Sequence, residues 1–398
     1  MNRPELQIEA SAAPDDNGRL EIVLTADADR HEVYYESGDI RLAPTAEALL
    51  AGALQLGMLW GRDLVLHGHV SRRFLESLQV IQDIYHCWHP PLQKIGIKGV
   101  TPVNRGPRGA RVGLFFSGGV DSFYSLLKHA DEITDLILIR GFEFSLDDHA
   151  MLERASQLVR GVGARCGLRV IEVETNLRPV LVRNGLRWGP LAGGPVTAST
   201  GLLLQEEFKR LYIASSDPYA ELTPWASHPI LDPLWSTDGL EFIHDGAEAT
   251  RLDKLKVLAQ HDWVLQRLHV CNESPPSALN CGRCEKCNRT MLELTVVGAL
   301  ERCSTFETGL EAPRIAQIRF PGHCRHDYVE ILAYASLGGH PHQLIRALQT
   351  ALNRAERRAA LRAFLQGLSP GLYSLAGRGY RAIKALSGQD QVMPKSAR

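Results

Sequence analysis

Two groups of residues in this chain are of types and spacings that do chemistry. The first is Ser117-Gly118-Gly119-Val120-Asp121-Ser122, which follows the apolar run 111–116 and leads into the helix-like run Phe123 to His129. A buried strand, a tight loop and a helix start leave several backbone N–H groups without partners around one point, which suits a phosphate. Gly118 and Gly119 let the backbone come close to a ligand, and Ser117 and Ser122 add hydroxyls. Asp121 suits the first turn of a helix. Beside phosphates, a carboxylate also makes sense as part of a Mg²⁺ site, so a nucleotide with its metal is the economical reading. The plain alternative is a glycine-containing strand-to-helix turn with no ligand. The Gly-Lys-Ser/Thr ending of a P-loop, the Rossmann glycine spacing and the Gly-x-Ser-x-Gly elbow are all missing from the string.

The second group is Cys271, Cys281, Cys284 and Cys287, spaced C-x9-C-x2-C-x2-C. Two successive C-x2-C steps form turns that aim thiolates at one point, and Gly282 permits the bend. Four thiolates with no open position argue for structural, tetrahedral Zn²⁺. An iron–sulfur cluster and four reduced core cysteines are the alternatives. Arg283, Lys286 and Arg289 lie close enough in sequence to offset part of the thiolate charge. The chain has eight cysteines in 398 residues, which is too sparse for a disulfide scaffold.

The Ser-Gly-Gly-Val-Asp-Ser string resembles the pyrophosphate loop of the N-type ATP pyrophosphatase (PP-loop) superfamily, whose members adenylate a substrate oxygen and release pyrophosphate. The cysteine cluster, followed directly by a helix, resembles the zinc motif of the 7-cyano-7-deazaguanine synthase family, the nitrile synthases of queuosine biosynthesis. It departs from that motif in the longer gap between the first two cysteines. Thr250-Arg251-Leu252-Asp253-Lys254-Leu255 resembles the Thr-Lys-x-Glu-Ile string that opens a helix in these enzymes, with Arg for Lys and Asp for Glu. Thr250 and Asp253 equally fit a capping box in all but the last residue. The resemblance covers residues 111–302.

The resemblance implies ATP, Mg²⁺ and Zn²⁺ as ligands. Ser117, Gly118, Gly119, Val120, Asp121 and Ser122 would hold the β,γ-phosphates, with Asp121, Ser117 and Ser122 in catalytic roles. Arg251 or Lys254 would contact phosphate, and backbone around Ile139, Arg140 and on to Phe142 would take the adenine. The implied enzyme is an AMP- and pyrophosphate-forming ligase that activates a carbonyl or carboxylate oxygen of a small molecule for attack by ammonia or an amine, in biosynthesis. A tRNA or metabolite thiolase using the same adenylation is the alternative within enzymes. A catalytically silent zinc-bearing scaffold that binds nucleotide is the alternative outside them.

These residues need elements to position them. Apolar strands at 111–116, 135–140, 169–174 and 210–215 alternate with helices near 120–131, 148–166 and 197–209. This pattern predicts a doubly wound parallel α/β sheet, with ligands at the carboxyl ends of its strands. That edge would collect residues 117–122, Arg140 to Phe144, Thr175-Asn176 and Ser215-Ser216-Asp217. Before it, strands between Leu20 and Ile40, a helix from Pro44 to Trp60, a strand from Asp63 and a helix from Ser71 to Trp88 read as an N-terminal α+β domain over 1–100. Pro90-Pro91 and the turn-rich stretch Thr101 to Gly109 mark a linker. The pyrophosphatase-type domain is expected over 101–270 and the zinc motif with its helix over 271–304. A helical C-terminal region, 305–398, has candidates at Asp327 to Leu337, Pro341 to Leu352 and Arg354 to Leu365.

A chain with 44% apolar and 22% charged residues and a net charge of −1 is an ordinary globular protein, with no electrostatic case for a dedicated nucleic-acid binder. From Arg346 to Arg398 the balance is locally basic, which reads as a solvated helical surface before it reads as an RNA patch. No apolar run approaches the roughly 18 residues of a membrane span, and a cytoplasmic protein is expected. ATP and a small molecule are the partners this suggests, and assembly into a homo-oligomer stays open. Gly322 to His326 and His86 to His89 are set aside as loop or helix-end residues rather than metal ligands. Cys303 reads as a buried thiol before a sulfur carrier, and Trp188 to Pro195 as a loop that either covers the site or only connects.

Overall fold

Short apolar or alternating runs between glycine- and proline-containing turns form strands here, and longer runs with apolar residues three and four apart form helices. The computed structural model describes residues 4–106, 108–273, 278–306 and 309–367. In chain order the strands are β1 (Glu5–Ala10), β2 (Arg19–Ala26), β3 (Asp29–Glu36), β4 (Asp63–Ser71), β5 (Ile97–Val103), β6 (Arg111–Phe115), β7 (Asp135–Arg140), β8 (Arg169–Thr175), β9 (Phe208–Ala214) and β10 (Glu241–Asp245). The helices are α1 (Ala46–Trp60), α2 (Arg72–Trp88), α3 (Val120–Lys128), α4 (His149–Cys166), α5 (Leu177–Arg183), α6 (Gly193–Leu203), α7 (Arg251–Leu258), α8 (Asp262–Leu265), α9 (Glu285–Val296), α10 (Ala312–Ile315), α11 (Arg325–Leu337) and α12 (His342–Gly367).

The strands join in one mostly parallel sheet, in the order β10-β9-β6-β7-β8-β3-β2-β1-β4-β5. All neighbouring pairs from β10 to β8 are parallel. This half is a doubly wound unit in which the chain runs β6, β7, β8 to one side and then returns to place β9 and β10 on the other. The direction of growth reverses between β6 and β9, and a crevice opens at the carboxyl ends of strands at such a reversal. Helices cover both faces of it. Ile137, Ile139, Ile171, Val173, Leu211 and Phe242 share a core with the residues of α1 and α6. On the other face Ser156 of α4 hydrogen-bonds Glu172, and Ser125 of α3 hydrogen-bonds Asp245.

The five strands before residue 104 do not form a sheet of their own. β3 pairs antiparallel with β8 through Tyr35 and Glu36 opposite Thr175 and Glu174, so β1 to β5 extend the same sheet. An alternating pattern tells which face of a strand is buried and is silent about its neighbour. The start of the expected linker stretch, Thr101 to Val103, belongs to β5, which pairs with β4. α1 is buried over almost its whole length, wedged between the sheet and α6, where Ser199 Oγ reaches Ala48 O at 2.8 Å and Tyr35 Oη at 2.7 Å. The helix expected at 197–209 starts earlier, at Gly193, directly after a π-helical turn over Trp188–Ala192.

The chain divides at Gly309 and Leu310 into two compact units. Among the described residues the second holds α10, α11 and α12. Tyr328, Ile331 and Ala335 are buried, as are Ala347, Leu348 and Ala351, and Arg325 pairs with Glu356 at 2.6 Å. Two helices expected at 341–352 and 354–365 are one, because Asn353 neither caps nor breaks it. The rest of the basic C-terminal stretch, from residue 368, lies outside the described residues. Among the described residues no helix is long and apolar enough to cross a membrane.

Candidate anion loop and metal centre

β6 ends at Phe115, and Phe116 N–H still donates to Ile137 O at 2.8 Å. The chain then turns through Gly118, whose φ of +78° is one that L side chains rarely adopt. A Cβ there would lie 2.2 Å from Leu158 Cδ2, the movable end of a side chain, so it is the conformation that favours glycine. α3 starts at Val120 with Gly119 as its N-cap and no side-chain cap hydrogen bond, so no capping side chain occupies the start of the helix. Ser117 is exposed, whereas Ser122 is 5% exposed and its hydroxyl donates to Gly119 O at 3.1 Å. Ser122 therefore holds the loop's shape. Val120 is buried and offers the loop only its backbone.

The loop meets α7 at Asp121. Lys254 Nζ lies 2.9 Å from Asp121 Oδ1 and Arg251 Nη1 lies 3.6 Å from Oδ2. Thr250 caps α7 by accepting the Asp253 N–H at 3.1 Å, and the cap sets Arg251 and Lys254, three residues apart, on one face. The capping and the cation-presenting readings of this string thus coexist. Lys254 is 1% exposed and also donates to Ser215 O at 2.5 Å, at the carboxyl end of β9. These three charges therefore stand where the sheet reverses, between β6 and β9.

At the end of β7 the side chains are engaged elsewhere. Ile139 belongs to the core, and Arg140 is committed to Glu174 at 3.1 Å and Ser156 at 2.8 Å. What β7 presents at the edge is the backbone after it, where Gly141 has φ +89° and a Cβ would fall 2.3 Å from Thr175 O. Next to it, Phe142 meets Trp188 edge-on at 4.7 Å, and Arg178 Cζ lies 4.5 Å over the Trp188 ring while Nη1 donates to Glu143 O at 3.0 Å. The glycine- and proline-rich stretch from Trp188 is thus at this edge. Gly189 packs so closely on Trp225 that a Cβ would clash.

Several residues of the site carried no signal in the sequence. Asp245, at the end of β10, accepts from Ser125 Oγ at 2.6 Å and Lys128 Nζ at 2.8 Å, and lies 2.9 Å from His129 Nε2. Burial pushes its pKa up, but His129, Lys128 and Ser125 outweigh burial and hold it below the usual carboxylate range. The network fastens α3 to the sheet. His269 donates its backbone N–H to Gly118 O at 2.9 Å, and its ring, 5.6 Å from that of Phe144, is stacked and buried, which lowers its pKa. Glu293 and Thr290 of α9 hold Arg251 from behind, at 3.2 and 3.0 Å.

The four cysteines converge. Their sulfurs all lie within 4.8 Å of one another, with Cys271 and Cys284 at 3.7 Å and Cys281 and Cys287 at 3.8 Å. A tetrahedron of thiolates with Zn–S bonds of about 2.3 Å has edges of about 3.8 Å, so the donor set fits Zn²⁺. Backbone N–H groups of Arg283 and Cys284 point at Cys281 Sγ at 3.3 and 3.2 Å, and that of Glu273 at Cys271 Sγ at 3.2 Å. Such contacts orient and stabilise thiolates at a metal. Cys271 beside Cys284 pushes the latter's pKa up to about 12, and Cys271 and Cys284 together raise that of Cys287. Among the described residues this is the cluster of three or more metal-ligating side chains. Gly322 to His326 forms none. Cys303 is 4% exposed, its thiol donates to Leu265 O at 3.1 Å and burial raises its pKa, the surroundings of an inert, packed thiol.

The chain matches no protein-family model, no curated protein and no solved structure among those with which it was compared. The fold and the two clusters therefore carry the functional reading by themselves.

Proposed function

We propose that the protein is an ATP-dependent, AMP- and pyrophosphate-forming ligase of the PP-loop type that adenylates a carbonyl or carboxylate oxygen of a small molecule. The observation that carries this reading is the meeting of Asp121, Lys254 and Arg251 beside the uncapped start of α3, at the reversal point of the parallel sheet. The backbone of Ser117 to Ser122 cradles the β,γ-phosphates, and phosphate oxygens take the place of Asp121 at Lys254 and Arg251. Asp121 is then free to help hold Mg²⁺, which would supply charge neutralisation at the pyrophosphate. The substrate oxygen attacks the α-phosphorus, the bond to the bridging α,β-oxygen breaks, and pyrophosphate departs with that electron pair. Ammonia or an amine then attacks the activated carbon and AMP leaves. No protein nucleophile enters the scheme, so positioning and charge neutralisation lower the barrier.

The four cysteines hold structural Zn²⁺ in this reading. The packed state of Cys303 favours a nitrogen over a sulfur donor. The test is pyrophosphate and AMP release from ATP with a panel of carboxylic acids and ammonia, comparing wild type with Asp121→Ala. Acid-dependent pyrophosphate release that the substitution abolishes supports the proposal, and ADP with inorganic phosphate as products overturns it.

A further inference from the structure

The metal centre and the anion loop are joined by two short routes. The first runs through α9. Cys284 caps this helix and Cys287 lies in its first turn. Thr290 and Glu293 follow Cys287 at three-residue steps along the helix, with Thr290 fully buried and Glu293 1% exposed. Thr290 Oγ1 accepts from Arg251 Nη2 at 3.0 Å and Glu293 Oε2 from Arg251 Nε at 3.2 Å, so the guanidinium is gripped along one edge while Nη1 reaches Asp121 at 3.6 Å. The second route is backbone. Gly118 O accepts the N–H of His269, two residues before Cys271. The next residue, Val270, donates to Asn280 Oδ1 at 2.9 Å, one residue before Cys281. Asn280 is 2% exposed and ties further to Leu268 O and Thr305 Oγ1 at 2.8 and 3.0 Å.

We infer that Thr290 and Glu293 are positioning residues that make the four-cysteine centre a determinant of the loop's anion affinity. Metal fixes the start of α9. The helix is rigid over the two turns to Glu293, and a guanidinium held by a fork of two acceptors has one orientation left for its remaining nitrogen. Loss of the metal releases that start, loosens both routes and lets Arg251 and the Gly118 backbone drift. The consequence for phosphate rests on the proposed function, but the coupling of metal to loop order does not.

The experiment uses the full zinc-loaded chain, with hydrogen exchange of the 118–123 amides and calorimetric binding of inorganic pyrophosphate as readouts. Thr290→Val and Glu293→Gln, with zinc content and overall fold intact, are expected to speed exchange of those amides and weaken pyrophosphate on the order of tenfold. Thr290→Ser restores both. A zinc chelator has at least the same effect on wild type, since it loosens both routes, and a smaller effect on either variant, in which the α9 route is already lost. Unchanged loop exchange in the variants, or effects of chelation and substitution that simply add, overturns the inference. If chelation unfolds the whole unit, the zinc-loaded variants decide. If wild type fails to bind pyrophosphate, the ligase reading falls while the exchange data still judge the relay.

Discussion

Replacing Lys254 by methionine is the sharpest single test of the site. The side chain is 1% exposed, and methionine keeps a stem of similar length, so packing is largely preserved and the loss is confined to the ammonium. Two contacts go, the ion pair to Asp121 at 2.9 Å and the hydrogen bond to Ser215 O at 2.5 Å. A hydrogen bond involving a charged group contributes about 1.5–3 kcal/mol. Asp121 is 21% exposed on its side chain and keeps Arg251 at 3.6 Å, so it is rehydrated and partly paired after the change. Removal of the ammonium also relieves its own burial. The net loss of stability is therefore about 2 kcal/mol, a fall in Tm of about 3 °C for a unit of this size. The effect on ligand is larger, because a phosphate loses a buried charge-assisted partner worth about 2–3 kcal/mol, on the order of 30- to 150-fold in Kd. Calorimetric titration with MgATP, alongside thermal denaturation, measures both. Affinity unchanged within about twofold, in a variant that still folds, would refute the reasoning that Lys254 faces the ligand.

The metal and the Asp245 network give two further predictions. The purified chain should carry zinc at one ion per chain, and cobalt substitution should give the visible absorption of tetrahedral thiolate coordination, which Cys281→Ser abolishes together with metal retention; iron and labile sulfide in metal analysis would replace zinc with a cluster. Asp245→Asn should destabilise the fold by about 2–3 kcal/mol, since Lys128 and His129 lose a 6%-exposed partner while Lys128, about one-third exposed, is rehydrated. Because the pKa of Asp245 is depressed in the fold, its contribution is present above the ordinary carboxylate pKa of about 4 and is lost as pH falls through the lower folded value. Denaturation curves of wild type and variant should therefore converge toward acid, and a gap that persists or widens there would show that the network acts otherwise.

Much of this arrangement was legible in the sequence because it is local. The Ser117 to Ser122 string, the strands around it and the C-x2-C-x2-C spacing each specify their own geometry within a dozen residues, and the thiolates do converge as that spacing required. What escaped was set by contacts between distant segments. Asp245 lies 116 residues from His129, and Glu293 lies 42 from Arg251, so nothing near either residue marks its role. Ile139 and Arg140 stand close to the edge in the sequence. The period-2 alternation turns one side chain into the core and the other toward Glu172 and Glu174, which leaves backbone at that edge, the group the sequence reading named. The joining of β3 to β8 was equally invisible, since pairing partners leave no mark in an alternating run.

The charges at Asp121 show why an acidic residue belongs in a loop proposed to hold phosphates. Lys254 is almost wholly buried and cannot be left as a lone ammonium, because the cost of an uncompensated buried charge reaches several kcal/mol. It therefore needs an anion in every state of the site. In the ligand-free arrangement that anion is Asp121, which, unlike Lys254, retains some exposure and can turn outward without a comparable penalty. A phosphate entering at the start of α3 can take the place of Asp121 at Lys254, so binding exchanges one counter-ion for another instead of desolvating a free cation. The carboxylate displaced in this way is left beside the phosphates, where a divalent cation compensates it. On this argument Asp121→Ala harms the empty site as well as the loaded one, whereas a loss confined to turnover, with stability and loop order unchanged, would show that the carboxylate serves the metal alone.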